Sequence, residues 1–333
     1  MGRVLLVALA AFALEGCKCQ SSIPSTNAEI DPTRMMVDLR EIASAPHPFG
    51  SARQRLVRDY ILSKIDKTKA NVYSQDFSAE TPNPAIHQSV MGSLSRTMQG
   101  TNIYATHRDS KPSDCVVLIG SHYDTKHFDG FAYYGANDSG SSSAVLLELL
   151  RVLRPSQCRF GFVWFDGEES VLNDWYDGER KHPLKQKDNT YGSRFFADQL
   201  SPCKDGGLCL AESLGGGRIV AKILLDMVGH RDLRFSNDSH STPSLIQLRD
   251  RVLADLGWSH LAHPVAKGIE DDHIPFLRRG IPSVNLIDFE NTLDWHQPGD
   301  KISEISSESL VKSATLASRM ASYIAANPKE LSK

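Results

Sequence analysis

The sequence carries little surplus charge of either sign: 37 Lys and Arg stand against 40 Asp and Glu, for a net charge of -3. That leaves no basic field to neutralise phosphates or hold an anionic membrane, which argues against nucleic acid as a partner. Long apolar runs are also missing. The run from Val4 to Leu14 is too short to cross a bilayer as a helix. The six cysteines show no CxxC or zinc-finger spacing, so structural sulfur is favoured over a cysteine metal site. No internal repeat is present, which removes solenoids and propellers. What remains is an ordinary globular balance of 41% hydrophobic and 23% charged residues over 333 positions, enough for a sizeable core.

The first residues read as an address. Met1-Gly2-Arg3 gives a positive start, Val4 to Leu14 a signal-peptide apolar region, and Leu14-Glu15-Gly16-Cys17 the form of a bacterial lipobox, although Glu15 is atypical there. The expected organisation is a signal peptide over 1–16, a polar tether over 17–30 that begins at a lipidated Cys17, and one catalytic domain over 31–333. This implies an exported protein of the periplasm or cell envelope. The cysteines agree with an oxidising compartment. Cys203 to Cys209 is a tight Gly-containing loop able to bridge its ends, and Cys115 and Cys158 each precede an apolar run, as neighbouring strand starts would. Connectivity is open at this point.

Apolar spacing predicts helices over Thr33–Ser44 and Ser51–Lys67, then strands over Ala70–Phe77 and Thr101–His107. Cys115–Gly120 is a continuous apolar run of the kind buried on both faces of a parallel sheet. There follow a helix over Ser139–Leu153, a strand over Arg159–Phe165, a helix over Tyr191–Leu200, a strand over Ile219–Val228 and a helix over Pro243–Leu256. A short helix over Ile274–Arg279, a strand over Pro282–Ile287 and a helix over Ser307–Ala326 close the pattern. The alternation means an α/β three-layer sandwich with a mixed, largely parallel central sheet. The insertion Ser170–Asn189 lacks periodicity and follows paired glutamates, which suits a rim loop over a pocket.

Ligands of open α/β sheets bind outside the carboxyl ends of the strands. Here those ends lead into His122, Glu168-Glu169, Asp226 and, further on, Trp295-His296, while Asp138 opens the helix after the first of them. Each residue alone has a bland reading, as a satisfied buried histidine or a helix cap. Together, His122, Asp138, Glu169, Asp226 and His296 form the imidazole and carboxylate set that suits zinc. Adjacent glutamates point in different directions, so Glu169 can bind metal while Glu168 faces substrate as general acid and base.

The motifs Ser121-His-Tyr-Asp124, Gly135-Ala-Asn-Asp-Ser139, Phe165-Asp-Gly-Glu-Glu169, Tyr191-Gly-Ser-Arg194, Leu225-Asp-Met227, the run Asp271-Asp-His-Ile-Pro-Phe-Leu-Arg-Arg-Gly280 and Trp295-His296 resemble those of the animal-type glutaminyl cyclases. These share the zinc aminopeptidase-like fold. The resemblance implies one zinc held by Asp138, Glu169 and His296, with Glu168 as proton shuttle. It further implies that Asp226 and Asp271 hydrogen-bond with Glu168 and place the substrate amine, and that Trp175 and Trp295 form pocket walls. The implied reaction converts N-terminal glutamine of peptides or proteins to pyroglutamate with release of ammonia. Two departures stand out: Ser121 occupies the place of a disulfide cysteine in the animal enzymes, and Glu270 precedes the Asp-Asp pair.

Two other readings compete. A di-zinc aminopeptidase would use His122 and Asp226 as further ligands around a bridging Asp138. An inactive peptide-binding lipoprotein would need none of the carboxylates that are retained. Oligomeric state is not legible in the sequence.

Overall fold

The computed structural model describes residues 29–84, 93–109, 114–290 and 293–330. The expected signal peptide, Cys17 and nearly all of the tether lie outside the described residues.

The chain opens with α1 (Pro32–Ile42), where the Asp31 carboxylate accepts from the Thr33 and Arg34 amides at 2.8 and 3.2 Å and Met35, Leu39 and Ile42 face inward. α2 (Ala52–Lys64) follows, ending three residues before the apolar spacing suggested. Next come β1 (Ala70–Pro82), β2 (Ser95–His107), β3 (Cys115–His122), α3 (Ser142–Val152) and β4 (Arg159–Phe165). Within the insertion sits a single helical turn, α4 (Asp177–Arg180); then α5 (Tyr191–Asp198), the short strands β5 (Ser201–Pro202) and β6 (Leu208–Cys209), and β7 (Arg218–Asp226). The remainder is β8 (Phe235–Asp238), α6 (Pro243–Asp255), β9 (Ala262–Lys267), α7 (Ile274–Leu277), β10 (Ser283–Ile287) and α8 (Ser307–Ala326).

The main sheet runs β1-β2-β4-β3-β7-β6-β5, with β10 also on β7. Its centre, β4-β3-β7-β10, is parallel, and antiparallel strands finish both edges. Burial on both faces explains the unbroken apolar runs of β3 and β4. Val117, Ile119, Phe160 and Phe162 pack with residues of α1, α3, α6 and α8, while Val116, Leu118, Val163 and Phe165 pack with Phe196 of α5 and Phe276 of α7. That is the expected three-layer sandwich, and each fully buried Leu, Ile or Phe adds about 1.5–3 kcal/mol.

Both anticipated disulfides are present, Cys115–Cys158 and Cys203–Cys209. The helix expected from Ser139 begins at Ser142, because a wide turn over Ala136–Ser141 precedes it. The small parallel pair β8–β9 was not legible, since β9 is mostly exposed and has no apolar alternation.

Candidate active site

Because the central strands are parallel, their carboxyl ends share one edge, and the polar residues after them converge there. The Asp124 carboxylate, just past β3, accepts from the amides of Glu168 at 3.0 Å and Glu169 at 3.2 Å. It therefore shapes the turn that carries both glutamates. Gly167 has φ of 67°, which glycine adopts without strain. Gly192 lets α5 close on that turn: its amide donates to the Asp166 carbonyl at 2.9 Å, and a Cβ there would lie 2.3 Å from the same oxygen.

Asp138 is held from behind. The Tyr133 hydroxyl lies 3.0 Å from its Oδ2 and 3.1 Å from Asp300 Oδ2, and Asp300 also accepts from the Asn137 and Asp138 amides at 2.6 and 3.1 Å. Burial, and then Asp138, push the Asp300 carboxyl up to about 7. Asp124, Tyr133 and Asp300 were given no role by sequence reasoning. For Asp300 no signal pointed to one, because an acid after the Trp-His pair has no distinguishing spacing.

Two sets of ligand-type atoms, each within 4.8 Å of one another, share Asp138. In the first, His122 Nε2 lies 3.1 Å from Asp138 Oδ1 and 3.2 Å from Asp226 Oδ1. Burial opposes a charge on His122, but Asp124, Asp138 and Asp226 outweigh it and raise its pKa well above the ordinary value. In the second, His296 Nε2 lies 3.1 Å from Glu169 Oε1 and 3.6 Å from Asp138 Oδ2. His296 has a left-handed backbone, φ 57°, and its ring stacks on Trp295 at 4.0 Å. Glu169 Oε2 is buried and accepts no hydrogen bond among the described residues. An orphaned carboxylate oxygen beside an imidazole nitrogen and a second carboxylate is what a bound cation would satisfy, so the donor set fits a metal ion.

Beside this set lies a cavity of about 290 Å³, lined by Asp138, Glu168, Glu169, Asp226, Asp271 and His296 within and by Trp175, Tyr176, Phe289 and Trp295 as walls. All the candidate residues except His122 reach it. Burial raises Glu168 well above the usual carboxylate range; His122 opposes this, and Asp271 and Glu169 reinforce it. Burial and Asp271 likewise raise Asp226. Asp271 Oδ2 accepts from Asn285 Nδ2 at 2.7 Å. Its neighbour Asp272 accepts at its carbonyl from Lys222 Nζ, a fully buried cation 4.5 Å from the Phe165 ring and 4.0 Å from that of Phe276.

The insertion is pinned at both ends. Lys126 Nζ donates to the Ser170 and Leu172 carbonyls, and the Asp188 carboxylate accepts from the Val171 and Leu172 amides at 3.0 and 2.8 Å. This brings Trp175 and Tyr176 to the cavity. Lys126 and Asp188 were missed, because an anchor of this kind shows only once the loop is folded.

A profile of peptidase family M28 matches residues 102–321, and the chain belongs to that family. The likeness to glutaminyl cyclases is borne out among its relatives. The glutaminyl-peptide cyclotransferase of Drosophila melanogaster is 28% identical over 287 residues, 78% of this chain and 72% of that protein. The protein of the same name from Dictyostelium discoideum is 27% identical over 269 residues, 73% of this chain and 71% of that one. In fold, the chain matches an Acidobacteriales bacterium glutaminyl cyclase with a TM-score of 0.72 at 24% identity, over 92% of this chain and all of that one. It matches a leucine aminopeptidase precursor from Bacteroides thetaiotaomicron almost as well, with a TM-score of 0.71 at 18% identity over 90% and 98%.

Proposed function

We propose that the chain is a zinc-dependent glutaminyl-peptide cyclotransferase, an acyltransferase that turns N-terminal glutamine into pyroglutamate and releases ammonia. The observation that carries this reading is a buried carboxylate, Glu168, placed in one cavity with the Asp138, Glu169 and His296 set and with Asp271.

Asp138, Glu169 and His296 would hold zinc. When bound, zinc supplies Lewis-acid polarisation of the γ-amide carbonyl and stabilises the negative charge that develops on its oxygen. Glu168 accepts the proton that leaves the α-amine as that nitrogen attacks the amide carbon. The same carboxyl then gives the proton to the departing nitrogen, so one group serves both halves of the exchange. Burial raises its pKa from the usual carboxylate range, the direction that favours a shuttle over a permanently ionised group. Asp226 and Asp271 attract the α-amine and orient its lone pair. Trp175 and Trp295 exclude water and hold the glutamine side chain folded back on its own amine. Keeping the two reacting groups in one near-attack conformer supplies up to about 7–11 kcal/mol of the barrier reduction.

The substrates are peptides or proteins that begin with glutamine. Export and a lipid tether at Cys17 belong to the same proposal and rest on the leader sequence.

The test is to incubate the zinc-loaded mature protein with a Gln-initiated and a Leu-initiated peptide and weigh the products. Loss of one ammonia from the first, with the second intact, is expected. Removal of the first residue from either peptide would replace this reading with an aminopeptidase; no change in either would leave only a binding role.

A further inference from the structure

The carboxylates Asp138, Glu168, Glu169, Asp226 and Asp271 line the cavity where it is buried, whereas Lys267 and Gly268 are exposed and mark its mouth. Among the lining residues only one is Lys or Arg: Lys267, at the end of β9. The one carboxylate near it at the mouth, Glu270, is already held by two cations, with Lys187 Nζ at 3.0 Å and Arg278 Nη2 at 3.1 Å from the same oxygen. Lys267 makes no ion pair among the described residues. Its backbone is fixed by pairing with Asp238 of β8 and by the Ser239 amide, which donates to its carbonyl at 3.0 Å. Asp238 does not neutralise it, because that carboxylate is buried against His273 at 3.0 Å. The Lys267 ammonium lies 4.3 Å from the ring centre of Phe289, which is itself a cavity wall packed on Trp295. A cation over an aromatic face is weakly held in place without losing its charge.

On the cyclotransferase reading, the α-amine is drawn inward to Glu168, Asp226 and Asp271, so the rest of the peptide leaves through the mouth past Lys267. We infer that Lys267 forms a subsite for a side-chain carboxylate at the second or third position of the substrate, directly after the glutamine. The inference rests on that reading and adds a substrate preference to it: acidic sequences behind the glutamine are selected, and basic ones are disfavoured.

The test measures kcat/KM for C-terminally amidated peptides beginning Gln-Ala-Ala, Gln-Glu-Ala, Gln-Ala-Glu and Gln-Lys-Ala, with the wild type and with Lys267→Arg, Lys267→Met and Lys267→Glu. The amide removes the terminal carboxylate, so only the side chain reports. An acidic residue at one of the two positions should raise kcat/KM about three- to fivefold over alanine, the size of an ion pair at a wet rim. Lys267→Arg should keep that ratio, Lys267→Met should bring it to about one, and Lys267→Glu should favour the Gln-Lys peptide. At about 1 M salt, where the screening length is about 3 Å, the wild-type preference should collapse. Turnover of Gln-Ala-Ala with no acidic preference, or with one that survives Lys267→Met and Lys267→Glu, overturns the subsite and leaves the cyclotransferase reading intact. Absence of turnover on every Gln-initiated peptide overturns that reading and the subsite with it.

Discussion

The two donor sets that share Asp138 look alike on paper and differ in what they lack. Around His122, the imidazole is fully buried, with Nε2 3.1 Å from Asp138 and 3.2 Å from Asp226. Around His296, a buried oxygen of Glu169 is left without a partner, and the set opens on the cavity. In the first set the imidazole Nε2 lies between two carboxylates, whereas the second also holds a carboxylate oxygen that only a further group would satisfy. Counting ligand types therefore cannot distinguish one metal from two.

The strongest way to break this contrast is to compare His296→Ala with Glu168→Gln. Glu168→Gln should lower turnover by about 10²–10⁴-fold, the usual worth of a positioned acid-base group, with the zinc content unchanged by mass spectrometry of the intact protein. His296→Ala should lose both turnover and zinc. Turnover that persists in either variant would remove the assigned roles.

A smaller effect is expected at the other set. His122→Gln should retain about one zinc per chain yet lose about 3–5 kcal/mol of stability in urea unfolding, because two buried carboxylates lose their shared counter-charge. A wild-type ratio of two zinc ions that falls to one in this variant would make the sets equivalent and restore the aminopeptidase-like arrangement.

The smallest effect concerns His47, whose amide donates to Thr125 Oγ1 at 3.0 Å just past the His-Tyr-Asp motif. Burial lowers its pKa to about 4, so it is neutral at pH 7. The unfolded chain, with an ordinary histidine near 6.5, then takes up the proton first. Stability should fall as pH drops from about 6.5 to 4 and level off below that, by up to about 3 kcal/mol for this group. Unfolding curves across that window should be flatter for His47→Gln than for the wild type; identical slopes would show that His47 is not held neutral.

The sheet was largely legible because parallel strands buried on both faces leave continuous apolar runs, and Arg159–Phe165 and Ser307–Ala326 coincide with β4 and α8. Residues at the ends of those strands were legible for the same reason: topology alone brings His122, Glu168 and Asp226 to one edge. What could not be read was support that comes from elsewhere in the chain. Asp300 caps the turn of Asp138 across 162 residues, and Lys222 lies inside an apolar strand with its Nζ donating to the Asp272 carbonyl. Buried ions of this kind leave no periodic trace, because a single polar residue in an apolar run reads as noise until its partner is known.

The bridge between Cys115 and Cys158 joins the beginnings of β3 and β4, at the far edge of the sheet from His122 and Glu168. Those strands are in parallel register along their length, from Val116 opposite Arg159 to His122 opposite Phe165. For a slip to keep the same side chains inward it must be two residues, about 6.6 Å, which exceeds every contact that assembles the donor sets. A covalent tie at one end of the pair thus works as a length standard for the other. Oxidation during maturation, a chemical event remote from the cavity, would set the spacing on which the reaction depends.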